Sequence, residues 1–292
     1  IQALKKEKNA IILSHSYVSP EILYSVSDFF GDSYELSKKA KSTDADIVVF
    51  AAVKFMAETA KLLNPKKEVL VPSQFNGCSL ADSITAADVK KMREKYSDYT
   101  FVCYINTTAD VKAECDVCVT SSNVYNIVEA IENDKIYFLP DKLMGENVIV
   151  EMKNRGVEKD IQLWDGNCYV HKAFDPDMID GIRMSYDDIT VLSHPECDSE
   201  IIKKSDYVGS TSQMVNYVKD SEKNRFFLLT ECGLTNRLQS ELSNKEFVGT
   251  CTMCKYMKSN SLQGILDVLE SPKSQDKIQL DDSVTKRALK CI

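Results

Sequence analysis

Short apolar runs alternate with amphipathic stretches along the whole chain. In the first repeat of this pattern, the apolar runs are residues 10–13, 47–51 and 69–71. They are rich in β-branched side chains, which is typical of parallel strands buried on both faces. The stretches with helical periodicity between them are residues 21–30, 34–41 and 55–63. This alternation predicts an α/β fold with helices on both faces of its sheets.

The pattern recurs twice more, at a period of about 88 residues. Turns after an apolar run carry Cys78, Cys168 and Cys254, at spacings of 90 and 86 residues. The repeat predicts three similar three-layer α/β/α domains with short parallel sheets, related by pseudo-threefold symmetry around a central site. We expect domains at residues 1–84, 85–172 and 173–257, with residues 258–292 packing back on the first domain.

Polar landmarks also recur at the carboxyl ends of the predicted strands. His15, Tyr104 and His194 end equivalent runs, at spacings of 89 and 90 residues. In parallel α/β sheets, ligands bind outside the carboxyl ends of the strands. Three units that direct these ends inward would therefore bring the three cysteines together at one site.

Three repeated cysteines without a fourth favour a particular kind of metal centre. A 4Fe-4S cluster held by three thiolates keeps one iron open, and this iron can act as a Lewis acid on a substrate. A structural zinc site would need four ligands. The competing interpretation takes Cys115-x-x-Cys118 and Cys251-x-x-Cys254 as zinc knuckles. The period favours Cys254 over Cys251 as the third cluster ligand, and oxidation to a Cys251–Cys254 disulfide would release the cluster.

Serine-bearing turns and histidines supply further candidate chemistry. Turns at residues 31–33, 120–122 and 209–211 open predicted helices, where unpaired N–H groups attract carboxylates or phosphate. The same serines would also serve as ordinary helix caps. All three histidines, His15, His171 and His194, stand beside the repeated landmarks. This placement indicates acid–base work or anion binding.

Composition narrows the class of protein. A net charge of −8 argues against a nucleic-acid partner, which would need a basic surface. The amphipathic N-terminus lacks the core of a signal peptide, and no apolar run is long enough to span a membrane, so we expect a cytoplasmic protein. Ten cysteines then suggest metal binding rather than disulfides. We interpret Cys103, Cys118 and Cys232 as buried core thiols and assign no role to Cys291.

The chain resembles the quinolinate synthase family. The motifs that carry the resemblance are Ser14-His15-Ser16-Tyr17, Phe30-Gly31-Asp32-Ser33, Tyr104-Ile105-Asn106-Thr107, Thr120-Ser121-Ser122-Asn123, Asp165-Gly166-Asn167-Cys168-Tyr169-Val170-His171, His194-Pro195-Glu196-Cys197, Tyr207-Val208-Gly209-Ser210-Thr211-Ser212-Gln213-Met214 and Cys254-Lys255-Tyr256-Met257-Lys258. The resemblance implies three α/β/α domains around a 4Fe-4S cluster held by Cys78, Cys168 and Cys254. It implies a transferase that condenses iminoaspartate with dihydroxyacetone phosphate in NAD biosynthesis, with loss of phosphate and two waters. It also implies functional coupling to L-aspartate oxidase or aspartate dehydrogenase.

Site residues are carried over by motif. The resemblance implies catalytic roles for Tyr17, Tyr104, His171, His194 and Glu196. It implies a substrate site lined by His15, Ser33, Tyr104, Asn106, Ser121, His194, Glu196, Ser210 and Thr211. The chain has Tyr169 where the family often has proline, so the second cysteine turn is expected to differ. Two other functions stay open: a metal-containing sensor of small acids that performs no chemistry, and a hydro-lyase acting on a hydroxy acid.

Overall fold

The computed structural model of the protein describes residues 1–249 and 252–292, and this part of the chain forms three four-stranded parallel sheets. In every sheet the strand that comes first in sequence lies between the second and the third, and the fourth lies outside the third. The predicted α/β class with three parallel sheets is therefore confirmed. The pseudo-threefold symmetry and the domain boundaries stay predictions.

The first unit contains α1 (Gln2–Glu7), β1 (Ala10–His15), α2 (Pro20–Ser25), β2 (Phe29–Gly31), α3 (Ser33–Ser42), β3 (Ile47–Ala51), α4 (Lys54–Leu63) and β4 (Glu68–Leu70). The second contains α5 (Ala86–Lys95), β5 (Thr100–Tyr104), α6 (Ala109–Lys112), β6 (Val117–Val119), α7 (Val124–Ala130), β7 (Lys135–Leu139), α8 (Lys142–Asn154) and β8 (Asp160–Leu163). The third contains α9 (Tyr169–Lys172), α10 (Asp177–Ser185), β9 (Thr190–Ser193), α11 (Ser199–Lys204), β10 (Tyr207–Val208), α12 (Thr211–Asp220), β11 (Arg225–Leu229), α13 (Cys232–Glu241) and β12 (Glu246–Val248). The chain ends with α14 (Leu262–Glu270) and α15 (Asp282–Cys291).

The central strands are buried because helices cover both faces of each sheet. Val48, Val49 and Phe50 of β3 are almost fully buried, and they point alternately into two different clusters of apolar side chains. A continuous apolar run is what such a strand requires. The predicted strands of the first unit are thus explained by burial on two sides.

The prediction of three strands in each unit was wrong, because each sheet has a fourth strand at its edge. The sequence predicted one helix over residues 21–30. In the structure the helix ends at Ser25, and the strand β2 begins at Phe29. The edge strands β2, β6 and β10 have only two or three residues. Runs this short show no periodicity of their own, so the sequence pattern could not separate them from the neighbouring helices.

An aspartate before each edge strand fastens it to the central strand. The Asp206 carboxylate accepts a hydrogen bond from the Val191 N–H at 2.8 Å, and the Asp206 N–H donates to the Val191 carbonyl at 2.9 Å. Asp28 makes the same pair of bonds with Ile12, and Asp116 makes it with Phe101. The carboxylates therefore take the place of ladder bonds that the short strands lack.

We expect Asp206→Ala to lower the free energy of unfolding by about 2 kcal/mol, because the buried end of β9 loses a charged hydrogen-bond acceptor. Urea unfolding followed by circular dichroism measures this change. Asp187→Ala is the matched control, since Asp187 is exposed on the adjacent loop. Equal midpoints for the two variants would contradict the proposed fastening role.

The C-terminal region lies across two units. Helix α14 packs on the first sheet, with Ile265, Val268 and Leu269 buried against side chains of β1 and β3. Helix α15 contacts α4 of the first unit and also α6 and β6 of the second. No helix in the described part of the chain combines the length and apolar character needed to cross a membrane.

Candidate active site

The carboxyl ends of strands from all three sheets face one cavity of about 70 Å³. Of the residues predicted for the site, all but one line this cavity: His15, Tyr17, Ser33, Cys78, Tyr104, Asn106, Ser121, Cys168, His171, His194, Glu196, Thr211 and Cys254. Ser210 is the exception. It caps α12 and donates a hydrogen bond to the Asp32 carboxylate at 3.1 Å, so it lies behind the lining.

The three cysteine turns are held by equivalent backbone hydrogen bonds. In each unit, the N–H of a residue at the start of the helix after the third strand donates to a carbonyl two residues before the cysteine. The pairs are Lys54 to Asn76 at 2.7 Å, Lys142 to Gly166 at 2.8 Å and Cys232 to Thr252 at 3.1 Å. The residues two positions after these carbonyl groups are Cys78, Cys168 and Cys254. This equivalence supports Cys254 as the cysteine of the third turn that corresponds to Cys78 and Cys168. Cys251 lies outside the described residues.

Tyr169, where the chain departs from the family pattern, connects two of these turns. Its hydroxyl accepts a hydrogen bond from the Lys255 N–H at 2.7 Å and donates to the Met253 carbonyl at 3.2 Å. Proline would offer neither bond. The departure therefore ties the second cysteine turn to the third.

The three thiols are free, and their surroundings suit a thiolate-bound metal centre. Burial raises the pKa of Cys78 to about 12, and the nearby Cys254 adds to the effect. Burial likewise raises the pKa values of Cys168 and Cys254. Each sulfur also accepts at least one backbone N–H bond, in Cys78 from Ala81 and Leu80 and in Cys168 from His171. Half-buried thiols that line the same cavity and already accept N–H bonds fit a group that supplies positive charge, such as an iron–sulfur cluster.

A second donor set overlaps the first. The sulfur of Cys168, a ring nitrogen of His171 and a carboxylate oxygen of Glu196 lie within 4.8 Å of one another. These are ligand types that bind transition metals. The cavity therefore has a group of side chains that could hold a metal ion.

Glu196 is the centre of the polar network. Its Oε1 accepts a hydrogen bond from the Tyr104 hydroxyl at 2.7 Å, and its Oε2 lies 3.1 Å from His171 Nδ1. Burial alone would raise the pKa of Glu196, but its hydrogen bonds with His171 and Tyr104 hold it below the ordinary value. Glu196 is therefore a carboxylate at neutral pH, although it is buried.

A chain of hydrogen bonds continues from Glu196 across the cavity wall. His171 Nε2 lies 3.1 Å from the Thr230 hydroxyl, which lies 2.7 Å from the Tyr17 hydroxyl. Tyr17 in turn contacts the Thr211 hydroxyl at 2.9 Å. Thr230 was not among the predicted residues, yet it links His171 to Tyr17.

His15 and His194 have the same local geometry. The N–H of the residue two positions later donates to Nδ1 in both, at 3.2 Å from Tyr17 and 3.3 Å from Glu196. In the neutral ring Nε2 then carries the proton. Burial lowers the pKa of His15 to about 4 and that of His194 to about 3. Both rings are therefore neutral hydrogen-bond donors near pH 7.

These lowered pKa values predict acid sensitivity. In the unfolded chain a histidine has a pKa near 6.5, whereas His15 and His194 in the folded protein take up a proton only at lower pH. The free energy of unfolding therefore decreases as the pH falls from about 6.5 towards the folded pKa values. We expect about 2 kcal/mol of loss from His15 between pH 7.5 and pH 5. Urea unfolding at the two pH values measures it, and His15→Gln should shrink the difference by that amount. An unchanged difference in His15→Gln would show that the ring is not the cause.

Two acidic residues at the cysteine turns were missed by the sequence analysis. Asp141 and Glu231 follow the third strand of their units and cap the next helix. Each also accepts a hydrogen bond from the backbone N–H of a proposed ligand, Asp141 from Cys168 and Glu231 from Cys254 at 3.1 Å. Glu231 further pairs with Lys258 at 3.1 Å. Their spacing of 90 residues was the signal that could have found them.

The interpretation of two paired zinc knuckles is wrong for the described residues. Cys115 and Cys118 belong to an apolar cluster on the second sheet that includes Phe101, whereas Cys254 lines the central cavity. The two CxxC motifs therefore do not share a site.

Fold and cavity together define an α/β enzyme with a potential metal-binding group at its centre. The family model described as quinolinate synthetase A protein matches residues 1–292. The chain is 43% identical over 288 residues to the quinolinate synthase of Sinorhizobium fredii, an alignment that covers 99% of this chain and 78% of the relative. It is 42% identical over 292 residues to that of Caulobacter vibrioides, with coverage of 99% and 78%. It is 40% identical over 289 residues to that of Xylella fastidiosa, with coverage of 99% and 83%. The chain belongs to the quinolinate synthetase A family, and the resemblance is confirmed.

Proposed function

We propose that this protein is a quinolinate synthase that condenses iminoaspartate with dihydroxyacetone phosphate, with loss of phosphate and two waters, in NAD biosynthesis. The observation that carries the proposal is one cavity lined by the three repeated cysteines and by the Glu196 network. Membership of the family over the whole chain supports the same activity. An L-aspartate oxidase or aspartate dehydrogenase would supply the iminoaspartate.

Cys78, Cys168 and Cys254 would hold a 4Fe-4S cluster in this proposal. The cluster would supply an open iron that acts as a Lewis acid on a substrate oxygen or nitrogen. The three half-buried thiols and their backbone N–H bonds favour such a cluster over an isolated hard cation.

The starts of α3 and α12 provide the binding surface for anionic substrates. Ser33 and Thr211 are the first residues of these ten-residue helices, and both line the cavity. Unpaired N–H groups and the helix dipole attract carboxylate or phosphate oxygens there. His15 and His194 would add neutral Nε2–H donors, which bind an oxygen without giving up a proton.

Proton transfer uses the series of hydrogen bonds that joins Glu196, His171, Thr230 and Tyr17. Glu196 is ionised and lies within hydrogen-bond reach of His171 and Tyr104, so it is placed to accept a proton. Burial raises the pKa values of Tyr17 and Tyr104 far above the ordinary range, so both hydroxyls keep their protons and act as donors. This division gives one base and two hydrogen-bond donors around the substrate.

The activity is tested with anaerobically purified, iron-reconstituted protein. The enzyme is given dihydroxyacetone phosphate and iminoaspartate that L-aspartate oxidase generates in the same vessel, and quinolinate is measured by chromatography. We expect quinolinate and phosphate in equal amounts. A protein that carries its iron but releases no quinolinate would overturn the proposal. The product analysis also separates it from a sensor or a simple hydro-lyase.

A further inference from the structure

A second group of thiols lies on the second unit, away from the central cavity. We call Cys103, Cys115, Cys118 and Cys291 the outer thiol cluster. All four are free; three are buried and Cys118 is half-buried. They come from β5, from the turn before β6, from β6 itself and from the end of α15.

Strand register places the first two sulfurs side by side. Cys103 and Cys118 are directly paired residues of the parallel strands β5 and β6. Neighbouring parallel strands lie about 4.8 Å apart, and paired residues project from the same face. The thiols of Cys103 and Cys118 therefore share one face of the second sheet.

The other two thiols complete the cluster from outside the sheet. Cys291 Sγ lies 3.5 Å from Cys103 Sγ, although the two residues are 188 positions apart in sequence. Cys115 and Cys118 also lie near enough to Cys103 to interact with its thiol, and Cys118 interacts with Cys291. Cys103 is thus the central member of the cluster.

This arrangement suits a tetrahedral zinc ion. Zinc–sulfur bonds of about 2.3 Å place two ligand sulfurs about 3.8 Å apart, close to the Cys103–Cys291 distance. Cys115 and Cys118 have the CxxC spacing common at one side of such sites. Among the described residues, no three of these four sulfurs all lie within 4.8 Å of one another. Binding of an ion would therefore require the side chains to move towards it.

Positive groups lie next to the cluster. Lys112 is fully buried, donates to the Ile105 carbonyl at 2.8 Å, and acts electrostatically on Cys103 and Cys118. Arg93 acts on Cys115 and is also paired with Asp116 at 2.7 Å. Four thiolates around Zn²⁺ carry a net charge of minus two, which these cations would partly offset.

We propose that the outer thiol cluster is a structural zinc site that fastens the C-terminal helix α15 to the second sheet. Zn²⁺ displaces the thiol protons to solvent, and no electrons are transferred. The site is separate from the proposed catalytic centre, because none of its four residues lines the central cavity.

The test uses holoprotein incubated with Zn²⁺ and then desalted. Elemental analysis should find about one zinc per chain beside the iron, and zinc-edge X-ray absorption should find four sulfur ligands at about 2.3 Å. Cys115→Ser and Cys118→Ser should each lower the retained zinc at least tenfold and leave the iron in place. Cys291→Ser, at the penultimate residue, serves if either of these fails to fold.

Two controls separate this site from the others. Cys197→Ser removes a buried thiol that belongs to neither group and should keep both metals. Cys78→Ser should lose iron and keep zinc, so failure of the zinc proposal is distinguishable from failure of the proposed function. The proposal is overturned if the wild-type chain retains less than about a tenth of a zinc, or if Cys118→Ser retains as much as wild type. Oxygen or nitrogen ligands in the absorption spectrum would overturn it as well.

Discussion

Cys168→Ser protein is expected to retain almost no iron and to form no detectable quinolinate. The proposed cluster would keep only two of its three protein ligands, and a serine hydroxyl at neutral pH is not ionised and binds iron poorly. Cys78→Ser and Cys254→Ser should behave alike, because the three turns have equivalent geometry. Iron and sulfide analysis of anaerobic protein, with the visible absorption of the cluster, measures the loss from about four irons per chain.

The control for these variants is again Cys197→Ser. Cys197 is fully buried, and its thiol donates to the Leu229 carbonyl at 3.3 Å, outside the cavity lining. It should retain full iron content, which separates ligand loss from the general cost of removing a buried thiol. If Cys251→Ser loses the cluster while Cys254→Ser keeps it, the choice of third ligand is wrong.

Glu196→Gln is expected to lower kcat by about 10²- to 10⁴-fold, the usual range for removal of an acid–base group. Glutamine keeps the size of the side chain but loses its charge. Its side chain also has only one oxygen that can accept hydrogen bonds. Glu196 uses two oxygens, one for the Tyr104 hydroxyl and the other for His171. The substitution therefore removes the proton acceptor from the chain of hydrogen bonds that runs through His171. Steady-state rates with both substrates varied separate this effect from a change in KM.

Glu200→Gln provides the matched comparison, because Glu200 is exposed on α11 and pairs only with Lys203 among the described ion pairs. It should leave kcat unchanged. Iron content is measured for both variants, since Glu196 also lies beside Cys168. A Glu196→Gln protein with full iron and a kcat within threefold of wild type would exclude Glu196 as the base.

The repeat was readable from sequence because it depends on burial. A central strand such as β3 must be apolar along its whole length, and a turn at its carboxyl end must be polar, so both leave a periodic trace. The edge strand β2 leaves none, since it is only three residues long, and Asp28 adds hydrogen bonds at the start of its short pairing with β1.

The residues of the candidate site also divide into those that a local sequence pattern reveals and those that only the packing of the units reveals. The sequence by itself determined that His15, Tyr104 and His194 stand at the ends of strands and that the repeated cysteines lie in the turns that follow strands, because position relative to a strand is a local property. Only the tertiary structure decided that Thr230 joins His171 to Tyr17, and that Cys291 lies against Cys103. These contacts join residues from different units or residues far apart in the sequence. They depend on how the units pack, and no local pattern of polar and apolar residues encodes that packing.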